Sequence, residues 1–215
     1  MAQPFILLDD ARLHDASDAR LYRDPVELVI ARRADEVLPA LERIEALSRA
    51  GHEMAGYAAY EAGLALEPRL AAMAQERSGA SGPLIWFGAF AGYETIAAAD
   101  VPGWLRANAE ASQGSIGPLE PQLSTGGYGA AFAALQEAIA AGDIYQANLT
   151  FPLVASWRGD PLALYSAIRP AAEAGYGGVV FDGSHWLLSF SPELFFALKG
   201  NAATVKPMKG TRPRG

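Results

Sequence analysis

Between Gly177 and Leu198 three apolar runs follow one another almost without pause: Gly177 to Phe181, Trp186 to Phe190 and Leu194 to Leu198. The breaks between them are Asp182-Gly183-Ser184 and Ser191-Pro192-Glu193. A parallel neighbour needs a crossover of about a dozen residues or more, so breaks this short must reverse the chain. The spacing predicts an antiparallel meander, and with it an α+β fold rather than a parallel doubly wound sheet.

The rest of the chain supplies more strands and the helices to cover them. Phe5 to Leu8 reads as a strand closed by Asp9-Asp10, and Leu21 to Ile30 as extended chain around Pro25. Ala34 to Ala50 is helical, because Val37, Leu41, Ile44 and Leu47 fall on one face and Gly51 suits the end. Met54 to Tyr60 and Pro83 to Tyr93 read as strands, with a helix from Leu66 to Arg77 between them. Residues 107–127, rich in Ala, Ser, Gln, Gly and Pro, read as a linker between an N-terminal part, 1–106, and a second part, 128–215. Ser124-Thr125 can cap a helix from Tyr128 to Ala141, with Phe132, Leu135 and Ile139 on one face and Gly142 as its stop. A long strand is expected from Ile144 to Ser156. Its odd positions from Tyr145 to Leu153 are apolar, whereas Gln146, Asn148 and Thr150 are uncharged and polar. Pro161 to Ile168 reads as a short helix.

Composition excludes several functions. With no cysteine there is no disulfide scaffold, thiol nucleophile or Cys-ligated metal. A net charge of −7 argues against non-specific nucleic-acid binding. The N-terminus lacks a basic signal-peptide region, and no apolar run approaches the roughly 20 residues of a membrane span. The default compartment is the cytosol.

The positive charges are unevenly chosen. Fourteen of the 17 basic residues are Arg, and the three lysines, Lys199, Lys206 and Lys209, all lie in the last 17 positions. A guanidinium cannot deprotonate and act as a nucleophile, whereas an amine can. Glu193, in its Ser-Pro-Glu turn, precedes Lys209 by 16 residues, and antiparallel neighbours can put the two across one cleft. There a carboxyl and an amine can serve as general acid and nucleophile. At an ordinary pKa only roughly one lysine in 2,500 is neutral at pH 7, a handicap of about 4.6 kcal/mol. Desolvation and the nearby charges of Lys206 and Arg212 reduce it. Glu193 in turn needs burial to keep a proton. Taken alone, the same residues also suit a solvated turn and an exposed strand end. Lys209-Gly210-Thr211 is not a phosphate-binding P-loop, because the upstream glycine is missing.

Three ordered motifs resemble those of chorismate-utilising enzymes, specifically of the aminodeoxychorismate synthase large-subunit type. Gly142-Asp143-Ile144-Tyr145-Gln146-Ala147-Asn148-Leu149 is similar to that family's G-D-x-Y-Q-x-N-L. Ser189-Phe190-Ser191-Pro192-Glu193-Leu194-Phe195 is similar to S-x-S-P-E-x-F, and Lys206-Pro207-Met208-Lys209-Gly210-Thr211-Arg212-Pro213-Arg214 to R-P-I-K-G-T-x-P-R. Gly56 to Gly63 and Trp86-Phe87-Gly88 also look like the family. The resemblance implies a sandwich of two antiparallel sheets with outer helices.

It also implies chemistry. Lys209 is expected to attack C2 of chorismate while the C4 hydroxyl leaves with a proton from Glu193. Ammonia from a glutamine amidotransferase partner then adds at C4 and expels the lysine, giving 4-amino-4-deoxychorismate for p-aminobenzoate and folate synthesis. Gln146, Asn148, Gly210 and Thr211 are expected to bind substrate. Mg²⁺ is implied, with ligands beyond Gly215. The strand running into a Gly/Pro turn at Pro207 to Pro213, with no closing element, leads us to expect the N-terminal part of a longer protein. Two alternatives stand beside this: anthranilate synthase, which typically has alanine where Lys209 stands, and a fragment that only docks a partner. Arg169-Pro170-Ala171-Ala172-Glu173 departs from the family's N-P-x-P-Y/F, so no tryptophan site is expected.

Overall fold

A computed structural model of the chain describes residues 3–70, 72–73, 82–110 and 113–206. In chain order the strands are β1 (Phe5–Asp9), β2 (Ala19–Arg23), β3 (Glu27–Ala31), β4 (Glu53–Ala58), β5 (Ile85–Phe90), β6 (Glu94–Ile96), β7 (Ser115–Ile116), β8 (Glu120–Pro121), β9 (Leu153–Val154), β10 (Trp157–Arg158), β11 (Tyr176–Phe181), β12 (Trp186–Ser191), β13 (Leu194–Lys199) and β14 (Ala202–Lys206). The helices are α1 (Ala34–Arg49), α2 (Ala62–Leu66), α3 (Val101–Asn108), α4 (Thr125–Ala141) and α5 (Pro161–Ala172).

Two antiparallel sheets carry the fold. One has the order β12-β11-β1-β2-β6, the other β3-β5-β4. The chain passes from the first to the second between β2 and β3, where Asp24 takes a positive φ of 54° before Pro25. Strand alternation then makes three apolar layers. Ile6 and Tyr22 of the larger sheet meet Ala55, Trp86 and Phe90 of the smaller one. On the outer side of the larger sheet, Leu7, Leu21 and Val179 pack with Val101 and Leu105 of α3 and Leu162 and Tyr165 of α5. On the outer side of the smaller sheet, Val29, Ile85 and Ala89 pack with Val37, Ala40 and Leu47 of α1. β5 is apolar on both faces because both are covered. This is the α+β sandwich with outer helices that the sequence leads one to expect.

Helix ends follow the sequence. Ser124 caps α4, its side chain accepting from the Gly127 N–H at 3.1 Å, and Gly142 closes it at φ 82°. Asp160 caps α5 by accepting from the Ala163 N–H at 2.8 Å, with Pro161 at the first turn. α1 ends with Gly51 at φ 93°.

Several expectations are corrected. The long strand from Ile144 to Ser156 does not form; within that stretch lies the short β9, and β10 begins just past it. An extended segment becomes a strand where a neighbour takes up its backbone groups. The pairings there are limited to Glu120↔Val154, Pro121↔Leu153, Ile116↔Trp157 and Ser115↔Arg158. Its expected core face is open, with Tyr145 87% exposed. The third run of the meander leaves the sheet: β13 pairs with β14 instead of β12. Pro192 has no N–H for a ladder, and the Ser191 hydroxyl turns the chain by bonding to the Glu193 backbone. Of the helix expected over Leu66 to Arg77, α2 ends at its first residue, residues 72–73 are helical, and residues 71 and 74–77 lie outside the described residues. α3 was not foreseen.

Candidate functional site

The Ser-Pro-Glu turn joins the larger sheet to the β13–β14 hairpin. Ser191 holds its shape in both directions: the Glu193 N–H donates to Oγ at 3.2 Å, and Oγ–H donates to the Glu193 carbonyl at 3.1 Å. Ser191 is paired with Tyr176 at the end of β11–β12. Leu194, the residue after the glutamate, is paired with Lys206. The Lys206 ammonium in turn sits 5.8 Å from the centre of the Tyr176 ring, a cation–π distance. The first residue of the Lys-Pro-Met-Lys motif and the turn bearing Glu193 thus meet around Tyr176. Sequence reasoning missed Tyr176, which looks like any aromatic at the start of a strand.

Lys209, Gly210 and Thr211 lie outside the described residues. Glu193 is exposed, so the described residues do not give it the burial expected of a proton donor. Gln146 and Asn148 are exposed on the irregular segment after α4, and no strand ladder among the described residues ties them to the Glu193 turn.

Beside Tyr176 lies a cleft of about 450 Å³ whose walls include Asp9, Asp10, Arg12, Arg20 and Lys206. Its carboxylates are already engaged. Asp10 accepts from Arg12 Nε at 2.9 Å and from the Ser17 N–H at 2.9 Å. The Arg12 guanidinium is the main cause that holds its pKa down at about 2, against the opposing effect of burial. Asp9 is fully buried and accepts from Arg169 Nε at 2.7 Å, Arg169 Nη2 at 2.9 Å and Tyr165 Oη at 2.9 Å. Burial, reinforced by Asp9, pushes the Tyr165 phenol well up, so it remains a donor. Arg169, which stands in the segment that departs from the N-P-x-P-Y/F pattern, therefore acts as a structural cation. Besides these pairs the cleft presents the cations Arg20 and Lys206 and the carboxylate of Asp18, which accepts from the Ala98 N–H at 3.1 Å.

The Mg²⁺ implied by the resemblance finds no support in this region. No group of three or more His, Asp or Glu side chains among the described residues could hold a metal ion. No helix among them is long and apolar enough to cross a membrane.

Comparison with known proteins bears on the site as a whole. Over 107 residues, 49% of this chain, it is 36% identical to an aminodeoxychorismate synthase of Streptomyces griseus, covering 15% of that protein. Over 87 residues, 40% of the chain, it is 33% identical to aminodeoxychorismate synthase component 1 of Klebsiella aerogenes, covering 19% of it. An anthranilate synthase component 1 from Acinetobacter calcoaceticus is 36% identical over 87 residues, 38% of this chain and 18% of the relative. The matches thus span less than a fifth of each relative's length. The model of the family described as chorismate binding enzyme matches residues 4–215, taking in both sheets, the Glu193 turn and the lysine motif beyond it, and this chain belongs to that family.

Proposed function

We propose that the complete protein aminates chorismate at C4, giving 4-amino-4-deoxychorismate, with Lys209 as nucleophile and Glu193 as general acid. The neutral Lys209 amine forms a bond to C2. Both conjugated ring double bonds shift by one position, from C1=C2 and C5=C6 to C1=C6 and C4=C5, and the C4 hydroxyl leaves as water, taking its proton from Glu193. Ammonia then bonds to C4, the double bonds shift back and the C2–N bond to Lys209 breaks. Gln146, Asn148, Gly210 and Thr211 hold the substrate. Ammonia comes from a glutamine amidotransferase, in keeping with the "component 1" in the names of several relatives. The reaction takes place in the cytosol and feeds p-aminobenzoate and folate synthesis. Mg²⁺ would hold the substrate's carboxylate through ligands beyond Gly215.

The observation that carries this reading is the lysine at position 209 within a family whose anthranilate-forming members typically lack it. The register Leu194↔Lys206 supports it by starting the lysine motif directly opposite the glutamate's turn.

The test is mass spectrometry of the full-length protein held with chorismate and no ammonia. An adduct on Lys209, absent in Lys209→Arg, is the expected result. Product formation by Lys209→Arg at the wild-type rate would overturn the assignment, and anthranilate as the product would favour the sister activity. The isolated 215-residue chain is expected to show no turnover.

A further inference from the structure

A second candidate site lies away from the motifs. Asp182, in the turn between β11 and β12, is 3% exposed at its side chain. Its Oδ1 accepts from the Ser184 N–H at 2.8 Å and the His185 N–H at 2.7 Å. Its Oδ2 accepts from Tyr57 Oη at 3.0 Å and faces His185 Nδ1 at 3.1 Å. Burial pushes the Asp182 pKa up, but these hydrogen bonds outweigh it and the net shift is down, so the group is a carboxylate. A carboxylate only accepts, so the hydrogen on His185 sits on Nδ1. Nε2, on the opposite edge of the ring, is then the nitrogen left to meet a ligand.

His185 lines a cavity of about 490 Å³ between β12, the start of α5 and the two short pairings of β7 to β10. Trp157 and Trp186 line it with indole surface, Trp186 being stacked on Phe181 with ring centres 4.6 Å apart, and Leu119, Leu164 and Leu188 contribute aliphatic walls. Apart from His185 the lining, among the described residues, holds no charged or titratable side chain, and Ser184 is its other polar residue. The volume suits a small ligand. A dicarboxylate such as chorismate would lose its hydration against this described lining with no Arg or Lys to meet it.

From these observations we infer that this cavity binds a neutral aromatic molecule bearing one hydroxyl or N–H donor, its ring against the apolar lining and its donor on His185 Nε2. Asp182, held in turn by Tyr57, is the positioning residue that fixes the imidazole.

The test uses 2-naphthol as probe, with 2-naphthoate as its anionic counterpart, followed through the imidazole nitrogen resonances of the whole chain. Three histidines make assignment simple. Saturable binding of 2-naphthol is expected, moving the His185 signals. His185→Phe keeps the apolar wall but removes the acceptor, and is expected to weaken binding by about tenfold or more. Leu119→Arg alters an exposed position on the cavity wall, so it leaves the fold intact and weakens binding similarly. 2-Naphthoate is expected to bind at least about tenfold more weakly. Equal affinity in His185→Phe, naphthoate binding as tightly as naphthol, or no saturable naphthol binding below about 5 mM would each overturn the inference.

Discussion

Arg169 and Asp9 are separated by 160 residues in sequence yet form the most deeply buried ion pair among the described residues. Breaking such a pair from one side strands a charge in the core, and the penalty exceeds the worth of the pair itself. Arg169→Met is therefore expected to lower stability by about 3 kcal/mol, read from urea unfolding at neutral pH. Asp10 makes a different prediction. Its folded pKa of about 2 lies below the ordinary value of 3.8, so it stabilises the fold above the ordinary value and loses that contribution as pH falls through its folded one. Because Arg12 is partly solvated, the contribution is about 1–2 kcal/mol. Stability measured from pH 5 to pH 2 should fall less steeply in Asp10→Asn than in the parent, and the two curves should converge at the acid end. Neither network was legible in the sequence: Asp9 and Arg169 lie 160 residues apart and carry no shared motif, and Asp10 and Arg12, though two residues apart, are joined by a loop conformation that no periodicity marks.

Caps and turns were legible because their chemistry is local. Ser124, Gly142 and Gly51 end helices where the sequence places those ends. The same chemistry has different weight at different helices. α5 buries Leu162 and Tyr165, whereas α4 has no buried residue among its 17. Asp160→Ala is expected to cost about 1 kcal/mol of global stability. Ser124→Ala should fray α4 by a comparable local amount, leaving the main unfolding midpoint within error. Denaturation followed by near-ultraviolet circular dichroism separates the two. In the smaller sheet Gly56 lies so close to β5 that an added Cβ would fall 2.1 Å from the Trp86 carbonyl oxygen. Gly56→Ala must part the two strands, and a loss of about 2–3 kcal/mol is expected in the same assay. The failed strand from Ile144 to Ser156 marks the limit of local reading. Alternation shows which face a strand would bury, but a strand also needs a neighbour, and that is a property of the fold.

Across the whole molecule the packing is uneven. The three apolar layers hold the sandwich, while Phe195 at 85%, Tyr145 at 87% and the apolar side of α4 remain open. Hydrogen exchange should reflect this. Amides of β1, β11 and β5 are expected to exchange at least about 100-fold more slowly than those of β13, β14 and residues 143–152. Uniform protection across both groups would show that the hairpin is as firmly held as the sandwich. The antiparallel α+β character was legible from turn spacing and apolar runs, and the two-sheet sandwich from the resemblance of the motifs to a known family. The meeting of Lys206 with Tyr176 was not legible, because a strand register decides it.

Strand β1 lies in the middle of its sheet, between β2 and β11, with Phe5 opposite Phe181. At ordinary rates of translation, about 5–20 residues per second, β1 leaves the ribosome roughly 10–30 s before its second neighbour exists. Throughout that interval the nascent chain presents an unpaired edge rich in aliphatic side chains, the kind of surface that trigger-type chaperones shield. The larger sheet is thus completed late on that side, when the β11–β12 hairpin pairs with the open edge of the oldest strand.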